Sequence, residues 1–177
     1  MKTKSMAALA SALATVAAVT EVRAEGRMPV AVSVEGVLGS GNPYAHEVGV
    51  SFLGAVQVMP RRWLSVGVVV GRFQATGNDG ERLAGVPVMG RVALRYPRWV
   101  VQPWGGLELG LSSMTVRVGS GPGATVAYDH LGLGLAGVVG LDVVPSERFA
   151  VGLVGRMFRD DDQARMTHVG LRAELRF

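Results

Sequence analysis

The chain has 177 residues, a formal charge of +4, 49% hydrophobic residues and no cysteine. This length is that of one ordinary domain. The absence of cysteine excludes a disulfide framework and a thiolate metal site. Basic residues are spread evenly along the chain, whereas nucleic-acid binding requires them clustered on one face, so we exclude that class of partner.

The beginning of the chain has the features of a cleaved secretion signal. Two lysines within the first four residues precede an apolar stretch over 6–19, and a short polar end closes with small residues up to Ala24. We therefore expect residues 1–24 to be a removed signal peptide and 25–177 to be the mature domain. The alternative is a buried amino-terminal helix, which the placement of charge disfavours. The mature part then carries 15 arginines against 13 acidic residues, a net charge near +2.

From Val30 onward, apolar residues recur at every second position. Alternation of this kind predicts strands with two different faces. No stretch after residue 24 is apolar for the ~18 residues that a membrane-spanning helix requires. Eight alternating segments are predicted, and they begin at Val30, Val48, Leu64, Val86, Val101, Leu131, Phe149 and Thr167.

The connections between these segments decide between two classes of β protein. A soluble sandwich shows the same alternation with its apolar face inward, so alternation alone does not reveal which face meets lipid. Three short connections run proline, arginine, then an aromatic residue. The long ones are rich in Gly, Ser, Asn and Asp and lie around 39–46, 75–83, 112–129 and 160–166. A strict alternation of short and long connections indicates an up-and-down membrane barrel with its short turns in the periplasm.

Aromatic residues lie mainly near the ends of the predicted strands. Lipid-facing Trp and Tyr rings settle at headgroup level, so their position marks the membrane boundary. Only Phe52 and Trp104 lie clearly in mid-strand. A group near the long connections comprises Tyr44, Phe73, Tyr128 and Phe158. We predict an aromatic belt at the short-turn ends, formed by Trp63, Tyr96, Trp99, Phe149 and Phe177.

These features predict an all-β fold, an antiparallel up-and-down eight-stranded transmembrane β-barrel, with a soluble lipocalin-like barrel or sandwich as the alternative. If the apolar face meets lipid, the polar face fills a narrow interior in which every buried charge requires a partner. Residues at every second position of a strand share one face, and we call this property parity. Parity predicts that Arg91 pairs with Glu108, and that Glu35 meets Arg172 where the first and last strands pair. The predicted lumen charges are Glu35, Arg91, Arg95, Glu108, Asp142, Arg156, Arg172 and Glu174.

The leader, the eight alternating segments and the terminal segment 169–177 resemble small outer-membrane β-barrel proteins of the OmpA transmembrane-domain and OmpX type. The resemblance covers essentially all of the mature chain. In that group an alternating last strand ending in Phe is the signal read by the barrel-assembly machinery, and the matching residues here are Leu171, Ala173, Leu175 and Phe177. The resemblance implies an outer-membrane location among lipid and lipopolysaccharide. It also implies the assembly machinery and periplasmic chaperones as partners during biogenesis.

Catalytic and metal-binding patterns are weak. Some barrels of this type modify lipid A, and the deacylase pattern places a serine two residues after a histidine; none of His46, His130 and His168 has one there. The three histidines are too scattered to predict one metal centre, and we expect them in the wet, polar rim. Residues 160–162 are three aspartates without calcium-loop spacing, so a solvated loop tip is expected. We predict no catalytic, metal or cofactor site.

Pro87 and Pro103 lie inside predicted strands. A proline cannot donate a hydrogen bond to a strand ladder. We therefore expect β-bulges or shifted strand ends at these two positions.

The sequence thus predicts a non-enzymatic outer-membrane protein with a structural or surface role and a polar, largely plugged lumen. The alternative is a low-conductance porin or small-solute channel, because clustered ionisable groups at membrane depth often mark transport.

Overall fold

A computed structural model describes residues 29–42, 45–76, 82–118, 125–161 and 165–177. The predicted signal peptide, residues 1–24, lies outside these ranges. Among the described residues no helix has the length and apolarity needed to cross a membrane. The strands are β1 (Val30–Asn42), β2 (Ala45–Arg61), β3 (Leu64–Thr76), β4 (Arg82–Arg95), β5 (Val101–Val118), β6 (Thr125–Ser146), β7 (Phe149–Asp160) and β8 (Arg165–Arg176).

The eight strands form one closed antiparallel barrel in chain order, in which β8 pairs back with β1. The closing ladder runs from Ala31 opposite Arg176 to Asn42 opposite Arg165. Closure pairs each of the eight described strands on both sides, which a sheet surrounded by lipid requires because no water is present to bond to free backbone groups. The predicted fold class, an eight-stranded up-and-down barrel, is confirmed.

The apolar face of every strand points outward. Leu133 is 59% exposed, Leu171 68% and Met157 71%, whereas Ser33 and Glu35 are buried in the interior. A soluble barrel would have the reverse arrangement, because its apolar side chains would form the core. The orientation predicted from parity, with valine and leucine outside and charge inside, is therefore confirmed.

The strands are longer than the sequence predicted. Most of the expected loop 112–129 is strand, since β5 continues to Val118 and β6 begins at Thr125. Two residues separate β1 from β2, as they do β2 from β3, so connection lengths do not alternate strictly. The inward–outward alternation continues through this region, with Met114 and Val116 buried. The glycines of the expected loop, at 119, 121 and 123, lie outside the described residues, and the two segments that extend β5 and β6 contain none.

The two strand prolines cause no register shift. On the β5 side, Pro87 stays paired with Ser112 in an unbroken ladder. On the β3 side, the pairs stop at Val88 and resume at Gly85 in the same register. The hydrogen bond that Pro87 cannot donate is therefore missing between β3 and β4. Pro103 lies at the point where β4 ends, and its carbonyl accepts from Tyr96 N at 2.9 Å. The expected bulge is wrong for Pro87, and a strand end is found beside Pro103.

Large apolar side chains pack inside the barrel where inward-facing glycines make room for them. A Cβ at Gly85 would overlap the ring of Phe73, and one at Gly140 would overlap the indole of Trp104. The layer nearest the β5–β6 connection comprises Phe73, Leu83, Met89, Met114, Val116, Ala136, Phe158 and Met166. Phe73 and Phe158 thus pack inside the barrel, and their expected place in a second lipid-facing aromatic group is wrong.

Replacement of Gly140 by alanine is expected to destabilise the barrel by about 1–3 kcal/mol, because the added methyl displaces the Trp104 indole in a packed interior. Gly137, on the outer face of the same strand, has nothing within 4 Å of its Cβ position and is the matched control. Urea unfolding of the folded protein in detergent micelles measures both variants. Equal midpoints for Gly140→Ala and Gly137→Ala would contradict this packing.

Candidate functional site

A cluster of charged side chains occupies the middle of the lumen. We call it the lumen charge cluster. All eight predicted residues point inward; seven are buried, and Arg95 is half-buried. The structure adds Arg176 as a ninth member through its bond to Glu174. The members are Glu35, Arg91, Arg95, Glu108, Asp142, Arg156, Arg172, Glu174 and Arg176.

Four of these residues form a ring that crosses the lumen. Arg91 donates from Nε to Glu108 Oε1 at 2.7 Å, and its Nη2 lies 2.8 Å from Glu35 Oε1. Arg156 donates from Nε to Glu108 Oε2 at 3.1 Å and from Nη2 to Glu35 Oε2 at 2.8 Å. Each arginine therefore contacts both glutamates. Because the four side chains come from β1, β4, β5 and β7, the ring ties non-adjacent walls of the barrel together.

A second group lies on the short-turn side of the ring. Arg172 donates from Nη1 to Asp142 Oδ2 at 2.6 Å and also bonds to Glu174. Arg95 Nη2 and Arg176 Nε both reach Glu174, at 3.0 and 2.8 Å. Arg172 Nε lies 3.7 Å from Glu35 Oε1, so the second group is linked to the ring.

Both pairs predicted from parity are present. Arg91 and Glu108 are directly opposite in the β4–β5 ladder and are hydrogen-bonded. Glu35 and Arg172 are opposite in the β1–β8 ladder. The nearest partners of Glu35, however, are Arg91 and Arg156, which reach it across the bore. Parity identifies neighbours on adjacent strands only, so these cross-lumen contacts were not predicted.

Trp104 is a member of the site that the sequence reasoning missed. Its indole lies below Arg172, 4.6 Å from the guanidinium carbon to the ring centroid, and 5.7 Å from that of Arg91. Cation–π contacts of this kind are most favourable when the groups are desolvated. The indole therefore bridges the ring and the second group. The signal was available, because Trp104 shares the inward parity of Glu108 on β5.

The cluster contains five basic and four acidic groups. Burial of charges costs several kcal/mol per ion, and mutual attraction offsets this cost only where geometry and hydrogen bonding are good. The ring residues Arg91, Glu35, Glu108 and Arg156 are each at most 3% exposed and are joined at 2.7–3.1 Å. Loss of a single partner therefore leaves a charge buried in a region that water does not reach.

Residues of the predicted belt lie at the short-turn ends. The rings of Tyr96 and Trp99 meet edge to face with centroids 5.5 Å apart. Trp63, Tyr96, Trp99 and Phe177 are exposed, and Phe149 is half-buried. The predicted assembly-signal residues are all on the outer face of β8 or at its end: Leu171, Ala173, Leu175 and Phe177.

The structure also groups His130, Asp160 and Asp161 near the outer end of β6 and β7. His130 Nε2 lies 2.9 Å from Asp161 Oδ1, and one donor atom from each residue lies within 4.8 Å of the others. The hydrogen bond with His130 holds the pKa of Asp161 below its usual value. Asp161 is exposed as expected, but Asp160 is buried, because its position on β7 turns it inward.

His46 and His168 were also predicted to lie in the wet, polar rim. His168 is buried on the inner face of β8 and packs where Gly39 has no side chain, so a place in the wet rim is wrong for it. The side chain of His46 lies outside the described residues.

No protein-family model and no curated protein matches this sequence. Several solved structures share its fold. Neisserial surface protein A has a TM-score of 0.64 at 14% identity, over 85% of this chain and 97% of that one. The attachment invasion locus protein Ail of Yersinia pestis has 0.62 at 13%, over 85% and 99%.

The outer membrane enzyme PagL has a TM-score of 0.52 at 11% identity, over 81% of this chain and 98% of that one. At such identities the likeness is one of fold alone. The chain therefore has the fold of the small eight-stranded outer-membrane β-barrel proteins.

Proposed function

We propose that this chain is a non-enzymatic outer-membrane protein with a structural or surface role, whose lumen is closed by the lumen charge cluster. The observation that carries the proposal is the ring of Glu35, Arg91, Glu108 and Arg156. Its hydrogen bonds join β1, β4, β5 and β7 across the bore. An eight-stranded barrel is only wide enough for side chains to fill it, so such a ring occupies the cross-section.

Packing on the outer side of the ring favours a plug over a pore. The space bounded by Ser51, Met89, Glu108, Arg156 and His168, among others, measures about 20 Å³. This is room for about one water molecule. Beyond it lies the apolar layer that includes Phe73 and Phe158. A hydrated path for solutes requires both layers to open, so the low-conductance channel ranks second.

The outer surface supports a membrane location. The outward-facing side chains of all eight strands are mostly apolar and exposed, and aromatic rings lie at the short-turn ends. Lipid is the solvent that such a surface fits, and a closed barrel satisfies the backbone within it. The proposal includes export through residues 1–24. It also includes passage by periplasmic chaperones to the barrel-assembly machinery, which reads the terminal strand at Leu171, Ala173, Leu175 and Phe177.

Catalysis is not part of the proposal. PagL shows that an enzyme uses the same fold, so the fold does not decide the matter. The sequence lacks the serine that the deacylase pattern places two residues after a histidine. The buried charges of the lumen are also paired with one another in ion pairs.

Replacing Arg91 and Glu108 by glutamine, singly and together, tests the ring. Each single variant leaves an uncompensated buried charge and is expected to lose about 3–5 kcal/mol of the free energy of unfolding. The loss of the free energy of unfolding in the double variant is expected to be smaller than the sum of the two single losses by at least about 1 kcal/mol. Urea unfolding and heat-modified gel mobility report the losses. Arg62 and Glu147, exposed in two different short turns, are the control pair and should be additive. Additive losses for Arg91 and Glu108 would argue against the ring.

Reconstitution into planar bilayers tests closure of the lumen. The wild-type protein is expected to give no reproducible unit conductance, because the ring and the apolar layer fill the bore. Gly134→Leu, which adds bulk against the Phe158 ring, is the matched filling variant. A reproducible conductance of the wild type that this variant abolishes would favour the channel over the plug.

A further inference from the structure

The outer faces of β3, β4 and β5 carry a group of arginines near their long-connection ends. We call Arg72, Arg82 and Arg117 the arginine patch; all three are exposed. Their positions share the outward parity of Val68 on β3, Val88 on β4 and Leu109 on β5. Polar side chains with the same parity surround the patch: Gln74, Thr76, Ser113 and Thr115.

Two of the patch arginines are directly opposite one another. Arg82 pairs with Arg117 in the β4–β5 ladder. Like charges at directly opposite positions on one face of a sheet destabilise it. Among the described residues, no carboxylate lies in ion-pair contact with either arginine, and the nearby Asp129 accepts from Thr115 Oγ1 at 3.2 Å. An anion bound between the two guanidinium groups would remove this repulsion.

An apolar groove continues from the patch toward the membrane centre. It has a volume of about 1050 Å³ and crosses the outer surface of β1 to β5. Its apolar walls include Val34, Phe52, Val56, Val68 and Val70. Arg82 and Arg117 line its long-connection end, and Arg72 lies four residues deeper, opposite Phe52 in the β2–β3 ladder. The groove is therefore amphipathic along the membrane normal, with apolar side chains toward the membrane centre and the Arg82 and Arg117 guanidinium groups at its outer end.

The depth of the Arg82–Arg117 pair matches a headgroup. Arg82 and Tyr96 share outward parity on β4 and are fourteen residues apart. A rise of ~3.4 Å per residue and a tilt of ~40° separate them by about 36 Å along the membrane normal. The apolar band of such barrels is ~25 Å tall. With the aromatic ring of Tyr96 at one boundary, Arg82 lies beyond the other, at the level of outer-leaflet headgroups.

We propose that the groove binds lipid A, the phosphorylated glycolipid of the outer leaflet, with its phosphates on the arginine patch and its acyl chains along the valines. Guanidinium groups match phosphate oxygens in paired, charge-assisted hydrogen bonds. Three arginines spread over three strands fit a headgroup that carries more than one phosphate, and a groove five strands wide fits more than two acyl chains. The inference rests on the proposed outer-membrane location and adds a specific site to it.

A second arginine pair provides a matched control. Arg159 and Arg165 are also exposed and directly opposite one another, on β7 and β8, near the same end of the barrel. The groove does not reach these strands, since its lining lies on β1 to β5. Binding that depends on the groove and patch together distinguishes the two pairs, whereas binding to charge alone does not.

The test uses the folded full-length mature protein in detergent micelles, titrated with bis-phosphorylated lipid A, and follows bound lipid by native mass spectrometry and the melting temperature. Wild type and Arg159→Gln/Arg165→Gln are expected to bind equally and to gain thermal stability. Arg82→Gln/Arg117→Gln is expected to bind at least about tenfold more weakly. Without lipid, this variant is expected to melt at the wild-type temperature or higher, because like-charge repulsion is relieved. Equal weakening by both double variants, or no binding by the wild type, would overturn the proposal.

Titrations with other phosphate-bearing lipids show which source of phosphate the groove binds. Lipid A with one phosphate is expected to bind more weakly than the bis-phosphorylated form, and phosphatidylglycerol more weakly still. Equal affinity for phosphatidylglycerol would overturn the assignment to lipid A. Insertion of the same variants into lipid vesicles, read by heat-modified mobility, separates this inference from the proposed function. Insertion without lipid A binding rejects the site alone, and failure to insert rejects the membrane location together with it.

Discussion

The narrow bore of an eight-stranded barrel is the constraint on which the interior depends. Side chains from opposite walls meet at its centre, so an ionised group placed there is desolvated and requires an oppositely charged partner. The ring of Glu35, Arg91, Glu108 and Arg156 satisfies this constraint by joining strands that are not neighbours. It therefore adds a set of cross-lumen bonds to the ladder bonds that close the sheet. The same bonds leave little room for a solute.

Side-chain volume is distributed inside the barrel by the same constraint. Trp104 and Phe73 fit because Gly140 and Gly85 face them, and an added Cβ at either glycine would overlap a ring. The indole of Trp104 in turn lies against Arg172, which links the second charged group to the ring. Packing and electrostatics are thus coupled: a change in volume at an inward glycine displaces an aromatic ring and weakens a cation–π contact.

Parity along each strand predicted most of the fold and the site, because a membrane barrel has only two environments and every strand alternates between them. It placed all eight charged residues inward and identified Arg91–Glu108 as neighbours. Contacts across the bore could not be predicted, since they depend on the tilt and stagger of the closed barrel. The end of β5 was missed at 112–118, because two serines beside the Gly-rich run 119–123 indicated a loop. Phe73 has the inward position of the buried Val69, four residues away, although its place near a strand end is typical of a lipid-facing aromatic residue.

Arginines inside and outside the barrel meet opposite conditions. Every arginine of the lumen charge cluster contacts a carboxylate of the same chain. On the outer surface, Arg82 faces Arg117 and Arg159 faces Arg165 across their ladders. A lone guanidinium in the bore has no other partner, whereas one at the long-connection rim lies outside the bore. The protein therefore neutralises the charges of its interior by itself, and the proposed lipid A site would neutralise Arg82 and Arg117 and stabilise the folded barrel by mass action.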